Sequence, residues 1–449
     1  MSRDISIKNG ASLNLKGLAL KEIEVAKKSL TYAINPDDFF GLVPRMLLKE
    51  GDNVSQGQPI FHDKNDDSVK IVSPVSGKIL QIVRGDKRKI LNIVIKQEGN
   101  NTVNFKIPSL PNISKENIIE LLVESGSLAY IRQRPYNIIA RPGKLPKSIF
   151  VSAHSTAPYG ADYGFILNKR MNEFQTGINV MSKLIGKSIN LSISHDCEND
   201  FSSLKNVDIY KIKGVHPSGN ESFQINRIDP LNSGEIVWVI KPEDLANIGS
   251  FFKTGIFNPK RTVAVSGDSL KSPKYFETLI GSSISSLVDS KELSDTEDYR
   301  FINGDPLSGS KVQYSDFLGF YNNTLSIIEE GNKFRMLGWL PFMYNSIPSF
   351  SKTSLSWLFG GEKKVNTNLN GEERAIVVTG EMEKYFPMDI FPMQLIKACM
   401  RGDIEKMESL GIYEVVPEDF GLVDFSCTSK IEAQEIIKSG IQIMLKEVG

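Results

Sequence analysis

EIVWVIKPEDLANIGSFFKTG, residues 235–255, turns from an extended apolar run into a helix within two residues. Residues 235–240 read as a strand. Pro242 then stands at a first helical turn, where its missing N–H costs nothing, and Gly255 is placed to stop the chain after it. No other stretch marks a strand-to-helix junction so sharply. Upstream of it come a helical pattern from Lys115 to about Glu124, the basic, proline-bearing RQRPYNIIARPGKLPKS, the strand SIFVSAH at 148–154, a helix from Glu173 to Ile185, and strands INLSISH at 189–195 and DIYKIKG at 208–214. Strands alternating with helices predict an α/β layer, assigned to residues 101–257.

Outward from this layer the pattern changes on both sides. Toward the N-terminus, residues 54–61 and 69–75 read as short strands joined by a polar turn with its tip at Lys64 to Asp67. KILQIV and ILNIVI flank a second, charged turn, RGDKRK at 84–89. Glycines 51, 57 and 77 mark turns, so residues 1–100 are expected to form an all-β module. Toward the C-terminus, RTVAVSG reads as a strand, residues 273–280 as a helical candidate, and Gly, Ser and Asn recur at 304–323. Residues 258–330 are therefore expected to be a compact α+β module. Residues 331–449 begin with an uncharged aromatic stretch, continue through a strand AIVVTG (375–380), and end in helices near 392–400, 403–410 and 430–446. The expected fold class is multidomain α+β with a helical C-terminal domain.

Composition narrows the function. The 449 residues carry 53 acidic and 53 basic side chains, so no overall field attracts nucleic acid. MSRDISIKNG lacks the layout of a secretory signal, and no segment approaches the roughly 18 consecutive apolar residues of a membrane span. Cys197, Cys399 and Cys427 lie far apart, which points to a reducing compartment.

The motifs for chemistry are sparse. Gly186-Lys187-Ser188 resembles the end of a phosphate-binding loop, but Met181 stands where the first glycine belongs. No G-x-G-x-x-G is present, and no C-x-x-C offers ligands for zinc or an iron–sulfur cluster. His195-Asp196-Cys197 are adjacent on a strand and point to opposite faces. The loop GVHPSGNES (214–222) combines His216 and Ser218 with two glycines, the composition of an anion or substrate contact and equally of an ordinary turn. MLGWLPFMYNSIPSF (336–350) holds Trp339, Phe342 and Tyr344, with Trp357 close behind. Prolines at 341 and 348 interrupt any helix, so this apolar segment must pack on its own domain, dock a partner or touch a bilayer interface.

GDNVSQGQPIF followed by VSPVSGKI resembles the barrel-sandwich hybrid of lipoyl and biotinyl domains. In such carriers a modified lysine sits at the hairpin tip. Here the corresponding turn is Asp63-Lys64-Asn65-Asp66-Asp67, shorter on its first side and acidic after the lysine. Over its whole length the chain is similar to the NqrA family, a component of the bacterial sodium-translocating NADH:quinone reductases. SIKNGASLNLKG, GVHPSGNESF, VWVIKPEDLANIGSFFKTG, RFINGDPLSGS, LGFYNNTLSIIEEG, MLGWLPF and FPMDIFPMQLIKACMRGDIE recur in that family's order. The family in turn resembles the RnfC component of the Rnf complex and the NADH-binding flavoprotein subunit of complex I, which share a Rossmann-like layer and a β-grasp module of the soluble-ligand-binding type.

The resemblance implies a peripheral subunit on the cytoplasmic face of the bacterial inner membrane, within a translocase that couples electron transfer from NADH to quinone with sodium export. Flavins and iron–sulfur centres are then expected in partner subunits, chiefly membrane-embedded ones, and no cofactor or metal in this chain. RQRPYNIIARPGKLPK stands where the relatives' glycine loop is expected. Val423 and Cys427 occupy the cysteine places of a C-x-x-x-C-P remnant. Trp339, Phe342, Tyr344 and Trp357 are the expected docking or quinone contacts, and His216 and Ser218 the polar loop. The alternatives are a biotin- or lipoyl-type carrier modified at Lys64 and a stand-alone flavin-dependent NADH dehydrogenase.

Overall fold

The computed structural model describes residues 3–197, 201–294, 298–331, 348–350, 358 and 361–449. Its strands form four sheets of seven, six, four and three strands, with most helices flanking the largest sheet or gathered at the C-terminus. The chain is a multidomain α+β protein.

The first two strands, β1 (Arg3–Ser6) and β2 (Leu20–Val25), leave the N-terminal module and extend other sheets, pairing in parallel with strands near residues 210 and 276. The module itself comprises β3 (Thr31–Ile34), β4 (Pro44–Met46), β5 (Asn53–Val54), β6 (Pro59–Asp63), β7 (Lys70–Val72), β8 (Gly77–Arg84) and β9 (Ile90–Gln97). It forms two antiparallel sheets, ordered β3-β9-β8-β5 and β4-β6-β7. Ile34, Phe61, Ile71, Ile79, Ile93 and Ile95 from both sheets share one buried core. The expected strand over 54–61 is broken at Gly57, whose φ of 82° turns the chain between β5 and β6. Two thin sheets with alternating inward residues thus close on each other without a helix.

The central layer contains α1 (Lys115–Glu124), β10 (Ile131–Arg134), β11 (Ile138–Ile139), β12 (Ser148–Ser152), α2 (Tyr163–Leu167), α3 (Met171–Ile185), β13 (Ile189–Ser194), β14 (Val207–Lys213), α4 (Glu221–Ile228), β15 (Val237–Ile240) and α5 (Pro242–Thr254). Its sheet runs β1-β14-β13-β12-β15-β10-β11, parallel from β1 to β15 and antiparallel at the β10–β11 edge. All residues of β12 and β15 are buried, as expected for parallel strands covered on both faces. Local signals set the helix ends. The Ser114 hydroxyl accepts from the Asn117 amide at 3.1 Å to start α1, and left-handed Gly186 and Gly255 stop α3 and α5.

The third unit comprises β16 (Lys260–Ser266), β17 (Lys274–Leu279), α6 (Ile284–Leu287), β18 (Tyr299–Asn303), β19 (Ser310–Val312) and β20 (Thr324–Glu329), in a sheet ordered β19-β18-β20-β16-β17-β2. The helical reading of 273–280 is corrected: KYFETL is β17, paired antiparallel with β16 from Lys274 opposite Val265 to Leu279 opposite Lys260. Its aromatic and threonine content suits a sheet once a partner strand is present. The expected strand AIVVTG is corrected too. Residues 375–380 take no strand pairing, and Val377 and Val378 are exposed, because β-prone residues become a strand only where an edge is offered.

The C-terminal domain contains α7 (Glu381–Lys384), α8 (Pro392–Arg401), α9 (Ile404–Ser409), α10 (Gly421–Ser426) and α11 (Ala433–Glu447). Met393, Ile396, Met407, Phe420, Ile437 and Ile441 form its core, which also takes in Ile7, Tyr210, Ile212 and Phe223 of the central layer. The two domains are therefore welded by a shared apolar cluster.

Candidate functional site

From β12 the chain moves to β13 and β14 on one side, then returns to β15 on the other. In an open parallel sheet, the crevice beyond the carboxyl ends of strands at such a reversal is the usual ligand site. Lys241 and the first turn of α5 follow β15 there, and the loop carrying His154 and Thr156 follows β12.

Charges of the chain itself occupy this crevice. Glu243 is fully buried, and its carboxylate accepts from the Thr262 amide at 3.0 Å, the Thr262 hydroxyl at 2.8 Å and Asn323 Nδ2 at 2.6 Å. Asp244, equally buried, lies 2.7 Å from Arg261, whose guanidinium also donates to the Phe320 carbonyl at 2.7 Å. Arg170 reaches Glu173 at 2.6 Å, Asn247 at 2.8 Å and Glu243 at 3.4 Å. A helix N-terminus with free N–H groups and a favourable dipole attracts an anion. Here two carboxylates of α5 hold that end and are neutralised by Arg261 of the neighbouring unit.

A second node lies beside the first. Lys241 Nζ donates to the Tyr321 carbonyl at 2.7 Å, and Arg132 sits over the Tyr321 ring with 5.7 Å to its centroid. Arg132 also faces Glu221 at 3.7 Å and Glu418 at 3.5 Å, joining the central layer to the C-terminal domain. Burial, reinforced by Arg132, lowers Lys241 to about 8. Burial opposes the charge of Arg261, yet Asp244 and Glu243 hold its pKa above the ordinary range. The same contest at Arg132 is won by Glu221 and Glu418.

His216 and Ser218 each meet a different residue of the loop after β12, neither of which the sequence singles out. His154 Nε2 lies 3.0 Å from the Ser218 hydroxyl, and Thr156 Oγ1 lies 3.3 Å from His216 Nδ1 and accepts from the Gly219 amide at 2.9 Å. Gln224 Nε2 donates to Ser152 Oγ at 2.9 Å and to the carbonyl of Ser218 at 3.1 Å. Ser218 is fully buried, so this is a hydrogen-bonded brace between the β12 and β14 loops, not an accessible nucleophile.

Burial lowers His154 to about 4, below an unfolded value near 6.5. The neutral imidazole therefore contributes stability that is complete above pH about 6.5 and is lost as pH falls toward 4. Between pH 7 and 5 the wild-type chain is expected to lose about 1–2 kcal/mol more than His154→Gln, measured by urea denaturation at both pH values. Asp419 and Asp424, raised to about 6 by burial, act in the opposite sense, so the comparison of the two proteins is what isolates the histidine.

The other expected residues are dispersed. Trp339, Phe342, Tyr344 and Trp357 lie outside the described residues. Lys64 is exposed just beyond β6, with its amide donating to the Val43 carbonyl at 2.8 Å. Gly186 ends α3 in the left-handed region, so Gly186-Lys187-Ser188 leads out of a helix and forms no phosphate loop. His195 Nδ1 pairs with Asp196 at 3.0 Å, and no group of three or more metal-ligating side chains occurs among the described residues. Cys399 and Cys427 are buried, and burial pushes Cys399 up to about 12. Arg132 to Ile139 of RQRPYNIIARPGKLPK form the β10–β11 hairpin, with β10 directly beside β15, so this stretch brings Arg132 to the crevice in a strand and not in a glycine loop. Sequence patterns alone do not single out Glu243, Asp244 and Arg261. The available signal is an acidic pair in the first turn of a helix that starts two residues after a fully apolar strand.

Three family models match in order: the NqrA N-terminal barrel-sandwich hybrid domain over residues 5–98, the NqrA second alpha/beta domain over 113–257, and the NQRA C-terminal domain over 262–314. The chain is 32% identical over 451 residues to the NqrA component of the Na(+)-translocating NADH-quinone reductase of Neisseria meningitidis serogroup B, covering 99% of this chain and 100% of that one. The corresponding protein of Hahella chejuensis is 34% identical over 448 residues and that of Pasteurella multocida 32% over 452, each with 99% of this chain and 100% of the relative covered. Among the described residues no helix is long and apolar enough to cross a membrane.

Proposed function

The chain belongs to the NqrA family of the Na(+)-translocating NADH-quinone reductases, and from that premise we propose that it serves its complex as a peripheral, cytoplasm-facing framework subunit without a redox centre of its own. The observation that carries this reading is the crevice at the strand reversal, filled by Glu243, Asp244, Arg261 and Lys241 in ion pairs and hydrogen bonds that tie one unit to the next. A site committed to holding domains together is poorly placed to take a flavin or dinucleotide. The finer reading of the central layer as Rossmann-like is supported by its run of parallel strands from β1 to β15. The reading of the third unit as a β-grasp fold is supported by its mixed sheet packed around α6.

In this reading, flavins and iron–sulfur centres belong to partner subunits, including the membrane-embedded ones. Trp339, Phe342, Tyr344 and Trp357 supply docking or quinone contact on the strength of their composition alone. The β6–β7 hairpin with Lys64 is framework. The test is co-expression with the remaining subunits, extraction from membranes in mild detergent and affinity capture through this chain. The other subunits are expected to co-purify, and the chain expressed alone is expected to show no flavin absorbance. A stoichiometric flavin band from the isolated chain would overturn the framework reading.

A further inference from the structure

RGDKRK, residues 84–89, joins β8 to β9 and puts four bases and one acid into six residues of a chain whose charges cancel overall. Arg84, Lys87, Arg88 and Lys89 are all exposed. Lys89 is held by Asp37 at 2.6 Å, while Arg84, Lys87 and Arg88 face no carboxylate partner among the described residues. The Arg84 guanidinium donates to the Arg88 carbonyl at 3.1 Å, which fixes the shape of the tip.

Three features of this hairpin work against stability. Lys87 and Arg88 both have positive φ, 52° and 62°, in a turn that glycine or asparagine would make with less strain. At the end of the two strands far from the turn, Lys78 and Lys96 stand directly opposite each other in the β8–β9 register, where like charges repel; Glu98 pairs with Lys96 at 2.7 Å and attracts Lys78 more weakly. Leu80 and Leu91 are 53% and 36% exposed on the same two strands, and Leu91 lies against Gly85 at the base of the turn. Strained backbone, bases without a carboxylate partner and exposed apolar area meeting at one turn point to something it presents, not to something it supports.

We propose that the tip of the β8–β9 hairpin docks on the anionic headgroups of a phospholipid bilayer, with Leu91, and Leu80 behind it, meeting the interfacial layer. Charge complementarity selects an anionic occupant. A narrow tip of long cationic side chains flanked by leucines suits a lipid surface, into which the bases can snorkel, better than an acidic protein face, which requires a broad complementary patch. The inference rests on the proposed peripheral placement only in assuming that a bilayer is within reach.

The experiment is flotation of the full chain with vesicles of phosphatidylcholine alone or mixed with phosphatidylglycerol. The chain is expected to float only with the acidic vesicles and to be released by salt. Lys87→Glu combined with Arg88→Glu is expected to lower partitioning about ten-fold or more, because each base near an anionic surface contributes roughly a factor of five. Equal flotation of wild type and variant, or no flotation of wild type, overturns the proposal. So does a variant that floats normally but no longer co-purifies with its partner subunits in detergent, since the tip would then be a protein contact. Failure of the wild-type chain to co-purify with any partner would instead sink the framework reading and leave the flotation result standing.

Discussion

Arg261→Ala is expected to destabilise the chain by about 3–5 kcal/mol, because it strands two buried carboxylates. Arg261 is fully buried, 2.7 Å from Asp244 and 3.8 Å from Glu243, and both acids are themselves inaccessible to water. Removing the guanidinium also frees the Phe320 carbonyl, to which it donates. Glu243 retains its hydrogen bonds from Thr262 and Asn323, so the larger share of the loss falls on Asp244. The check is urea denaturation followed by tryptophan fluorescence, with Trp238 buried in β15 as the nearby reporter. A companion variant sharpens the reading. Arg261→Met with Asp244→Leu removes both charges and fills the space, and is expected to recover most of the loss, since a buried pair replaced by apolar residues is often neutral. If Arg261→Ala costs less than about 1 kcal/mol, solvent reaches the node and the crevice is not sealed.

This network explains what the sequence can and cannot disclose. Pro242 and Gly255 mark the start and stop of α5 through backbone chemistry local to a few residues, so the helix is legible from the chain alone. Arg261 reaches Asp244 across a domain boundary, and its role depends on how β16 is set against α5, which no local pattern encodes. The same division separates Ser218, whose loop is visible as Pro-Gly punctuation, from His154, which reads as an ordinary strand end until β12 and β14 are placed in one sheet. The strand at 274–279 reads as a helix for a related reason. Its alternation is shallow, and only pairing with β16 and β2 selects the extended form. Residues 375–380 fail in the opposite direction, with strand-forming side chains and no edge to join.

Gly249→Ala is expected to cost about 3 kcal/mol or to prevent folding, although helix propensity alone predicts a gain of about 1 kcal/mol. Gly249 lies in α5 where it crosses α3. A Cβ there would sit 1.9 Å from the Glu173 carbonyl oxygen and 2.6 Å from the Gly177 amide nitrogen. The approach is reciprocal, for a Cβ on Gly177 would lie 2.2 Å from the Leu245 carbonyl oxygen. Two helix backbones thus touch at paired glycines, and neither carbonyl is the end of a flexible side chain that could swing aside. The helices must separate, which pulls Phe174, Ile178 and Phe251 out of the core they share. Gly440→Ala in α11 is the control. Its nearest neighbour would be Cys399 Sγ at 2.5 Å, which a rotamer change can move, while Cys399 Cβ at 3.0 Å requires only a shift of a few tenths of an ångström, so a smaller loss is expected than for a backbone oxygen at 1.9 Å. The sign of the Gly249→Ala effect in urea denaturation decides between intrinsic propensity and packing. A stabilised Gly249→Ala protein would mean that the α3 and α5 backbones do not touch, and that Arg170, which links Glu173 on one helix to Asn247 on the other, carries less of the crevice than its geometry implies.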